Sequence, residues 1–249
     1  MRLLFCGISC AETGADSGFT SLIVQSGTDS ILIDSSDNPV RCLLRAGIDP
    51  QALKFLVLTH GHTDHIYGFP ALLHTLHCRK RKDPLTVVCD PETRRRAEAL
   101  VEAAGLNEKK LTFARRYRGS LKSSGLEILL LPGRHSIPSS MVRVAADDSC
   151  LLYTADTASW PGIAEAARGC RTLIHEATAS QAALKGDPDL SGHSSALQAG
   201  QNAAAAGVKT LFLCHLCGRL YAGCDPADEA ARAFGGQIVV PEPFRWYDL

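Results

Sequence analysis

The segment Thr59–His65, which we call the histidine loop, places four potential metal ligands within six residues: His60, His62, Asp64 and His65. It directly follows the apolar run Phe55–Leu58, which is typical of a buried strand that ends in a loop. Imidazole nitrogens and carboxylate oxygens are ligands of Zn²⁺ and similar first-row metals. Because four donors this close cannot all bind one tetrahedral ion with good geometry, the loop predicts two adjacent ions that take further ligands from elsewhere. The alternative is a polar loop whose histidines hydrogen-bond the backbone.

Further candidate ligands follow other apolar runs that are typical of buried strands. These are His135, Asp156, His175, Glu176 and His215. Ligands of α/β proteins gather beyond the carboxyl ends of the strands, so we expect these side chains to meet the histidine loop at one edge of the molecule. Each histidine taken alone could instead be a core or loop histidine without a metal.

Apolar runs and turn residues predict the elements that must position these side chains. Strands are predicted at 3–8, 20–25, 30–33, 55–58, 85–89, 126–131, 141–145, 149–154, 172–174, 209–214 and 237–240. Helices are predicted at 39–46, 69–76, 91–104, 160–168, 194–206 and 226–234. This mixture indicates an α/β fold. No linker or low-complexity segment divides the sequence, so we expect one domain over residues 1–249 with two pseudo-related halves, roughly 1–120 and 121–249.

The spacing His-x-His-x-Asp-His in the histidine loop resembles the signature of the metallo-β-lactamase superfamily. The resemblance implies a four-layer αβ/βα sandwich with a hydrolytic centre of one or two metals. It implies His60, His62 and His135 as ligands of a first metal, and Asp64, His65 and His215 as ligands of a second. It also implies Asp156 as the aspartate that bridges both metals. A bridging aspartate rather than a cysteine indicates the phosphodiesterase and thioesterase branches.

Two later motifs resemble ribonuclease Z, the tRNA 3′-end endonuclease. The segment Leu173–Thr178 is similar to the His-Glu-Ala-Thr motif of that family, and Gly192–Ala196 is similar to its Gly-His-Ser motif. In that family the second motif's histidine pairs with the first motif's glutamate and assists proton transfer near the scissile phosphate. The resemblance therefore implies His193 as the proton donor and Glu176 as its orienting partner. The alternative is a hydrogen bond that only holds two loops together.

The interval between His135 and Asp156 is short. The tRNA-processing enzymes usually carry a long tRNA-binding arm there, whereas this sequence has room for one predicted hairpin. Small-molecule phosphodiesterases of the same superfamily are similar in this respect. The expected substrate is therefore a phosphodiester, either RNA or a small nucleotide-like ester.

These features predict a dinuclear metal-dependent hydrolase of the phosphodiesterase type. The expected cofactors are two divalent ions, first Zn²⁺, with Mn²⁺ or Fe as alternatives, which share a hydroxide that attacks phosphorus. Asp64 is expected to orient that hydroxide, and His193 with Glu176 to protonate the leaving oxygen. Two alternatives stay open: a hydrolase of thioesters or other acyl esters, and a metal-dependent binding protein without turnover.

The charge balance of 26 basic and 26 acidic residues excludes a global field that would recruit nucleic acid or a membrane. Three basic runs could still form a local positive surface, although each could also be an ordinary solvated face. They are Arg79–Lys82, Arg94–Arg96 and Arg115–Arg118. Arg134, which precedes His135, is the strongest single candidate for a phosphate contact.

Ten cysteines are many for 249 residues, yet several lie within apolar runs, as Cys42, Cys150 and Cys170 do. We interpret them as buried thiols rather than a disulfide framework. The first residues predict a strand rather than a signal peptide, and no apolar run is long enough to span a membrane. We therefore expect a cytoplasmic protein without membrane partners, and a homodimer is one open possibility.

Overall fold

Two facing β-sheets organise the computed structural model, which describes residues 1–107, 109–123, 125–146 and 149–249. Strands are numbered along the chain. The first sheet contains β1 (Arg2–Gly7), β2 (Ser21–Ser26), β3 (Asp29–Ile33), β4 (Phe55–Val57), β5 (Leu85–Val88), β6 (Arg115–Arg118) and β14 (Trp246–Asp248). The second contains β7 (Ser120–Ser123), β8 (Leu126–Pro132), β9 (Ser140–Ala146), β10 (Ser149–Tyr153), β11 (Thr172–Glu176), β12 (Thr210–Cys214) and β13 (Gln237–Val239).

Within the described residues, the two sheets share one pattern of strand directions. The spatial orders are β14-β1-β2-β3-β4-β5-β6 and β7-β8-β9-β10-β11-β12-β13. In each order the first three pairings are antiparallel and the last three are parallel. The parallel strands of each sheet bring their carboxyl ends to one edge, and these ends carry the candidate ligands except His135, which follows β8.

Helices cover the outer face of each sheet. Those in the first half of the chain are α1 (Pro39–Arg45), α2 (Thr63–Ile66), α3 (Phe69–Cys78) and α4 (Pro91–Ala103). Those in the second half are α5 (Gly162–Ala167), α6 (Gln181–Gly186), α7 (Ala196–Ala206) and α8 (Pro226–Ala231). Among the helices described, none is long and apolar enough to cross a membrane.

Alternating side chains along the strands divide the core into layers. Leu3 and Phe5 of β1 point between the sheets, while Leu4 packs with the apolar side chains of α1 and α3 on the outer face. A third cluster, which includes Leu173 and Ala199, lies between the second sheet and its helices. The resulting order of helix, sheet, sheet and helix confirms the predicted four-layer αβ/βα sandwich.

The two sheets are also connected at the edge that carries the ligands. The backbone N–H of Ser140 donates to the carbonyl of Thr59 (3.0 Å), and that of His215 donates to Oγ1 of Thr20 (3.1 Å). These bonds tie the start of the histidine loop to β9 and the end of β12 to the first sheet. The candidate site therefore spans both halves of the chain.

Some local structure differs from the predictions. The strands β6, β7 and β14 and the helices α2 and α6 were not predicted from the sequence. Cys150 and Cys170, interpreted as buried thiols, form a disulfide with Cα atoms 4.5 Å apart. Sheet pairing causes this proximity, because β10 runs parallel to β11 and Arg171 N–H donates to the Cys150 carbonyl at 3.2 Å. The prediction of reduced thiols was therefore wrong for these two residues.

Candidate metal centre

The histidine loop has a compact conformation that turns its ligands toward one point. His62 is the residue just before the single-turn helix α2, at its N-cap position, so Asp64 and His65 occupy the first turn of that helix. His60 immediately follows Thr59, whose backbone N–H donates to Asp34 Oδ1 at 2.9 Å. The short helix therefore gathers side chains that would diverge along an extended chain.

The first group of ligand atoms combines the start of the loop with the second half of the chain. Ligand atoms of His60, His62, His135 and Asp156 all lie within 4.8 Å of one another. His135 Nε2 is 3.1 Å from His62 Nδ1 and 3.9 Å from Asp156 Oδ2. His60 Nε2 is 3.6 Å from the same carboxylate oxygen. This grouping is the one that the superfamily resemblance implies for a first metal.

The second group combines the end of the loop with β12. Ligand atoms of Asp64, His65 and His215 also lie within 4.8 Å of one another. Asp156 borders this group too, because its Oδ2 is 3.2 Å from His215 Nε2 and its Oδ1 is 3.5 Å from His65 Nε2. Asp156 thus lies between the two groups, as a bridging ligand would.

The polar atoms at the centre fit divalent cations. Nε2 of His60, His65 and His215 and Oδ1 of Asp156 are buried and have no hydrogen-bond partner among the described residues. Leaving buried polar atoms unpaired costs about 1–3 kcal/mol each, and more for charged groups. Metal ions would satisfy all four atoms. The nitrogen and oxygen donors suit Zn, Mn or Fe.

The pKa shifts of two buried groups, His60 and Asp156, favour the forms that bind a metal. Burial lowers the pKa of His60 well below its ordinary value, which keeps its imidazole neutral, the form that binds a metal. Burial alone would raise the pKa of Asp156, but the surrounding imidazoles, His215 first and then His65, outweigh it and hold that pKa well below its ordinary value. The centre therefore offers an ionised carboxylate among imidazoles.

One set of hydrogen bonds, which we call the Asp34 network, consists of Asp34, Thr59, His60 and His65. Asp34 Oδ2 accepts from His65 Nδ1 at 2.7 Å, and the Thr59 hydroxyl contacts both oxygens of that carboxylate at 3.0 Å. Because that hydroxyl donates its proton to Asp34, its oxygen accepts from His60 Nδ1 at 3.0 Å. Both histidines are thereby left with Nε2 facing the centre.

A second set, the Glu176 network, consists of Glu176, Thr178, His193 and His215. The Thr178 hydroxyl donates to Glu176 Oε2 at 2.8 Å and accepts from His215 Nδ1 at 2.9 Å. His193 Nδ1 donates to Glu176 Oε1 at 2.9 Å. Such outer partners fix the tautomer and orientation of each imidazole. His215 is left with Nε2 facing the centre, and His193 Nε2 has no hydrogen-bond partner among the residues that the structure describes.

His193 differs from the other histidines of the centre in its exposure. Its side chain is 18% exposed and lines a cavity of about 670 Å³ together with His62 and His135. We call this cavity the site cleft. Burial alone would lower the pKa of His193, but the charge of Glu176 and its hydrogen bond outweigh it and raise that pKa to about 9. His193 can therefore carry a proton beside the ligands.

His135, which the second half of the chain contributes to the first group of ligand atoms, is held by the loop that carries His193. His135 Nδ1 donates to the Gly192 carbonyl at 2.8 Å. A Cβ at position 192 would lie 2.9 Å from that nitrogen, so glycine permits this close approach. The loop thus supports a ligand and presents His193 at the same time.

Every residue to which the sequence assigned a metal or catalytic role lies at this centre. They are His60, His62, Asp64, His65, His135, Asp156, Glu176, His193 and His215. His193 also has a ligand atom within 4.8 Å of ligand atoms of Asp156 and His215, although its Nδ1 is taken by Glu176. His175, the other strand-end candidate, turns away: its Nδ1 contacts the Glu176 carbonyl at 2.6 Å and its Nε2 contacts Asn202 at 3.0 Å.

The sequence analysis assigned no role to Asp34, Thr59 or Thr178. Asp34 directly follows β3, in the same way that the candidate ligands follow their strands, and it has a positive φ of 63°. Its position was therefore a usable signal. Thr59 begins the histidine loop and Thr178 ends the His-Glu-Ala-Thr motif, yet their supporting roles arise from tertiary contacts that the sequence does not show.

The basic runs contain structural arginines. Arg81 is buried and donates to backbone carbonyls, including that of Leu53 at 2.8 Å. Arg115 is also buried and pairs with Glu98 at 2.8 Å. These two side chains are therefore not part of a positive surface.

Comparison with known proteins gives the family. A family model described as "Beta-lactamase superfamily domain" matches residues 29–216. Ribonuclease Z of Bradyrhizobium sp. (strain ORS 278) is 27% identical over 273 residues, which cover 88% of this chain and 90% of that protein. Human tRNase Z, short form (ELAC1), has a TM-score of 0.81 at 19% identity, over 100% of this chain and 99% of that one. The metallo-β-lactamase fold protein YhfI from Bacillus subtilis has a TM-score of 0.80 at 20% identity, over 99% and 98%.

Proposed function

Because the chain belongs to the β-lactamase superfamily domain family and is a metal-dependent hydrolase, we propose that it is a dinuclear phosphodiesterase that resembles ribonuclease Z. Its substrates are RNA or small nucleotide-like phosphodiesters. The proposal assigns His60, His62 and His135 to one divalent ion, Asp64, His65 and His215 to another, and Asp156 to both. Zn²⁺ is the first candidate for these ions.

The observation that carries the proposal is the pairing of His193 with Glu176. A thioester releases a thiolate, which is stable without a proton at neutral pH, whereas a phosphodiester of an alcohol releases a strongly basic alkoxide. His193 Nδ1 donates to Glu176 at 2.9 Å, and its ring lies 4.8 Å from the ring of His135. This geometry supplies a proton donor beside the metal ligands, where such a leaving group departs.

The reaction replaces the ester P–O bond with a P–O bond from water. Two divalent ions would supply Lewis acidity, which activates water and neutralises charge on the phosphate oxygens. Asp64, whose Oδ2 is 3.5 Å from both His65 Nε2 and His215 Nε2, orients the attacking water. His193 gives its Nε2 proton to the departing oxygen, and Glu176 stabilises the imidazolium before that transfer.

The short interval between His135 and Asp156 favours small substrates over tRNA. Only β9 and β10, with their connection, fill this interval, and residues 147–148 of the connection lie outside the described part of the chain. The homologous interval is where tRNA-processing enzymes usually carry their arm. Dinucleotides and nucleotide esters therefore come first in a substrate screen, and RNA second.

The experiment is a comparison of substrates on protein loaded with Zn²⁺ or Mn²⁺. The substrates are bis(4-nitrophenyl) phosphate, the dinucleotide thymidylyl-thymidine, a precursor tRNA with a 3′ trailer, and a glutathione thioester. We expect hydrolysis of both small phosphodiesters that is abolished by a chelator and restored by metal. Turnover of the thioester alone would contradict the proposal and identify the acyl-hydrolase alternative. Inertness toward all four substrates would favour a binding protein.

A further inference from the structure

A single arginine lies on the rim of the site cleft, directly before a ligand. The backbone N–H of Arg134 donates to Oγ1 of Thr157 at 2.9 Å, and its carbonyl accepts from Ala158 N–H at 2.7 Å. These bonds tie Arg134 to the segment that follows Asp156. The arginine is therefore fixed at its backbone next to both His135 and the proposed bridging carboxylate.

The side chain of Arg134 rests on an aromatic ring. Its guanidinium carbon lies 4.3 Å from the centroid of the Trp160 ring. A Cβ on Gly162 would come within 2.1 Å of that ring, so the indole packs closely against the glycine backbone. A guanidinium stacked on a supported indole loses little entropy when it binds an anion, because its orientation is already restricted.

No ion pair neutralises this arginine among the residues that the structure describes. Two other arginines named above have such partners: Arg96 pairs with Glu92 at 2.9 Å, and Arg115 pairs with Glu98 at 2.8 Å. Arg134 is exposed and lines the site cleft. Its guanidinium hydrogens are therefore available to a ligand in the cleft.

The cleft has more room and more polarity than one phosphodiester linkage needs. Its volume of about 670 Å³ is in the range of small-molecule sites. Asp189, which is exposed and follows α6, also lines it. An arginine and an aspartate that line one cleft can select a ligand by its charge, because the arginine attracts negative charge and the aspartate repels it.

We propose that Arg134, supported by Trp160, forms a subsite for a second phosphate of the substrate. This inference rests on the proposed phosphodiesterase activity and narrows it. The substrates preferred are phosphodiesters that carry another phosphate group, such as esters of nucleoside bisphosphates. Guanidinium and phosphate form paired, charge-assisted hydrogen bonds, which gives the subsite its selectivity.

The test uses two esters that differ in one phosphate. Thymidine 5′-(4-nitrophenyl phosphate) and its 3′-phosphorylated counterpart release the same chromophore from the same linkage. With metal-loaded protein we expect kcat/KM to be about 10-fold to 100-fold higher for the 3′-phosphorylated ester, the size expected of charged hydrogen bonds. The substitution Arg134→Ala should reduce this ratio to about one.

Binding without turnover gives a second measurement. Calorimetry compares thymidine 3′,5′-bisphosphate with thymidine 5′-phosphate on the same protein. The first should bind about 10-fold to 100-fold more tightly, and Arg134→Ala should remove the difference. Arg134→Lys, which keeps the charge but not the planar stack, should retain only part of it. Asp189→Asn should increase the preference by relieving repulsion.

Controls separate this inference from a general loss of charge. Arg171 is exposed at the amino end of β11, the end of the sheet opposite the ligands, so Arg171→Ala should leave the ratio unchanged. Equal effects of Arg134→Ala and Arg171→Ala would overturn the subsite. So would a wild-type ratio near one with both esters hydrolysed. Absence of turnover for both esters, in contrast, would overturn the phosphodiesterase itself.

Discussion

The Asp34 and Glu176 networks use the same arrangement of groups on opposite sides of the centre. In each, a buried carboxylate accepts from a threonine hydroxyl, and the hydroxyl oxygen accepts from a histidine whose Nε2 faces the centre. Each carboxylate also bonds directly to a second histidine. That histidine is His65 in the first network, with a fully buried side chain, and His193 in the second, with a side chain that is 18% exposed.

This difference in exposure separates two roles. His65 Nε2 is buried and without a partner among the described residues, so the Asp34 network presents both of its histidines to metal. In the Glu176 network only His215 is oriented in this way, and His193 opens to the site cleft. One arrangement can thus hold a metal ligand or a proton donor, depending on whether the second imidazole can be reached by substrate.

Removing Asp156 should have the largest effect, because it borders both networks. Asp156→Ala should lower metal affinity by more than about 100-fold, since even outer partners of ligands are worth 10-fold to 100-fold. Phosphodiesterase activity should fall to background. Metal content measured after gel filtration tests this expectation. Full retention of both ions would remove Asp156 from the bridging position.

Removing His193 should slow chemistry without releasing metal. His193→Ala should reduce kcat for thymidylyl-thymidine by about 10²-fold to 10⁴-fold, the usual contribution of a general acid. It should slow a 4-nitrophenyl ester much less, because nitrophenolate leaves without a proton. Equal slowing of both substrates, or loss of metal, would show that His193 is structural or a ligand. His74→Ala, at an exposed position on α3, is the matched control.

Removing the carboxylate of the Asp34 network should weaken metal binding without slowing the chemistry, which is the opposite of the result expected for His193→Ala. Asp34→Asn leaves His65 without its anionic partner, so metal affinity should fall by about 10-fold to 100-fold. Activity should return to near the wild-type value when Zn²⁺ is in excess, because Asp34 has no contact with the site cleft. Asp49→Asn, at an exposed residue, serves as the control. A loss of kcat that excess metal does not restore would assign Asp34 a role beyond ligand orientation.

The ligands could be predicted from the sequence, whereas the groups that support them could not. Ligands such as His60 and Asp156 stand directly after apolar strands, so strand order and the family resemblance predicted both the fold and which side chains would meet. The supporting threonines could not be predicted, because a hydroxyl that bridges Glu176 and His215 exists only after β11 and β12 are aligned. The strand β6 was missed because Arg115 was interpreted as surface charge, although it pairs with Glu98 of α4.

The smallest effects should come from removing the threonine hydroxyl of each network, and these two substitutions compare the networks most directly. Thr59→Val and Thr178→Val preserve side-chain shape but leave a carboxylate oxygen and a histidine Nδ1 with one hydrogen bond fewer. Each should lower the free energy of unfolding by about 1–3 kcal/mol, the cost of an unpaired buried polar group. Urea denaturation of the metal-free proteins measures this cost directly.

The same two variants should differ in their kinetics. The Thr59 hydroxyl contacts Asp34 and His60, which both lie on the metal-binding side of the centre. Thr59→Val should therefore weaken metal binding and leave kcat at saturating Zn²⁺ nearly unchanged. Thr178 contacts the carboxylate that also orients His193, at 2.8 Å from Oε2. Thr178→Val should therefore lower kcat on thymidylyl-thymidine in addition to weakening metal binding. Identical kinetic behaviour of the two variants would mean that exposure of the second histidine does not divide the networks by role.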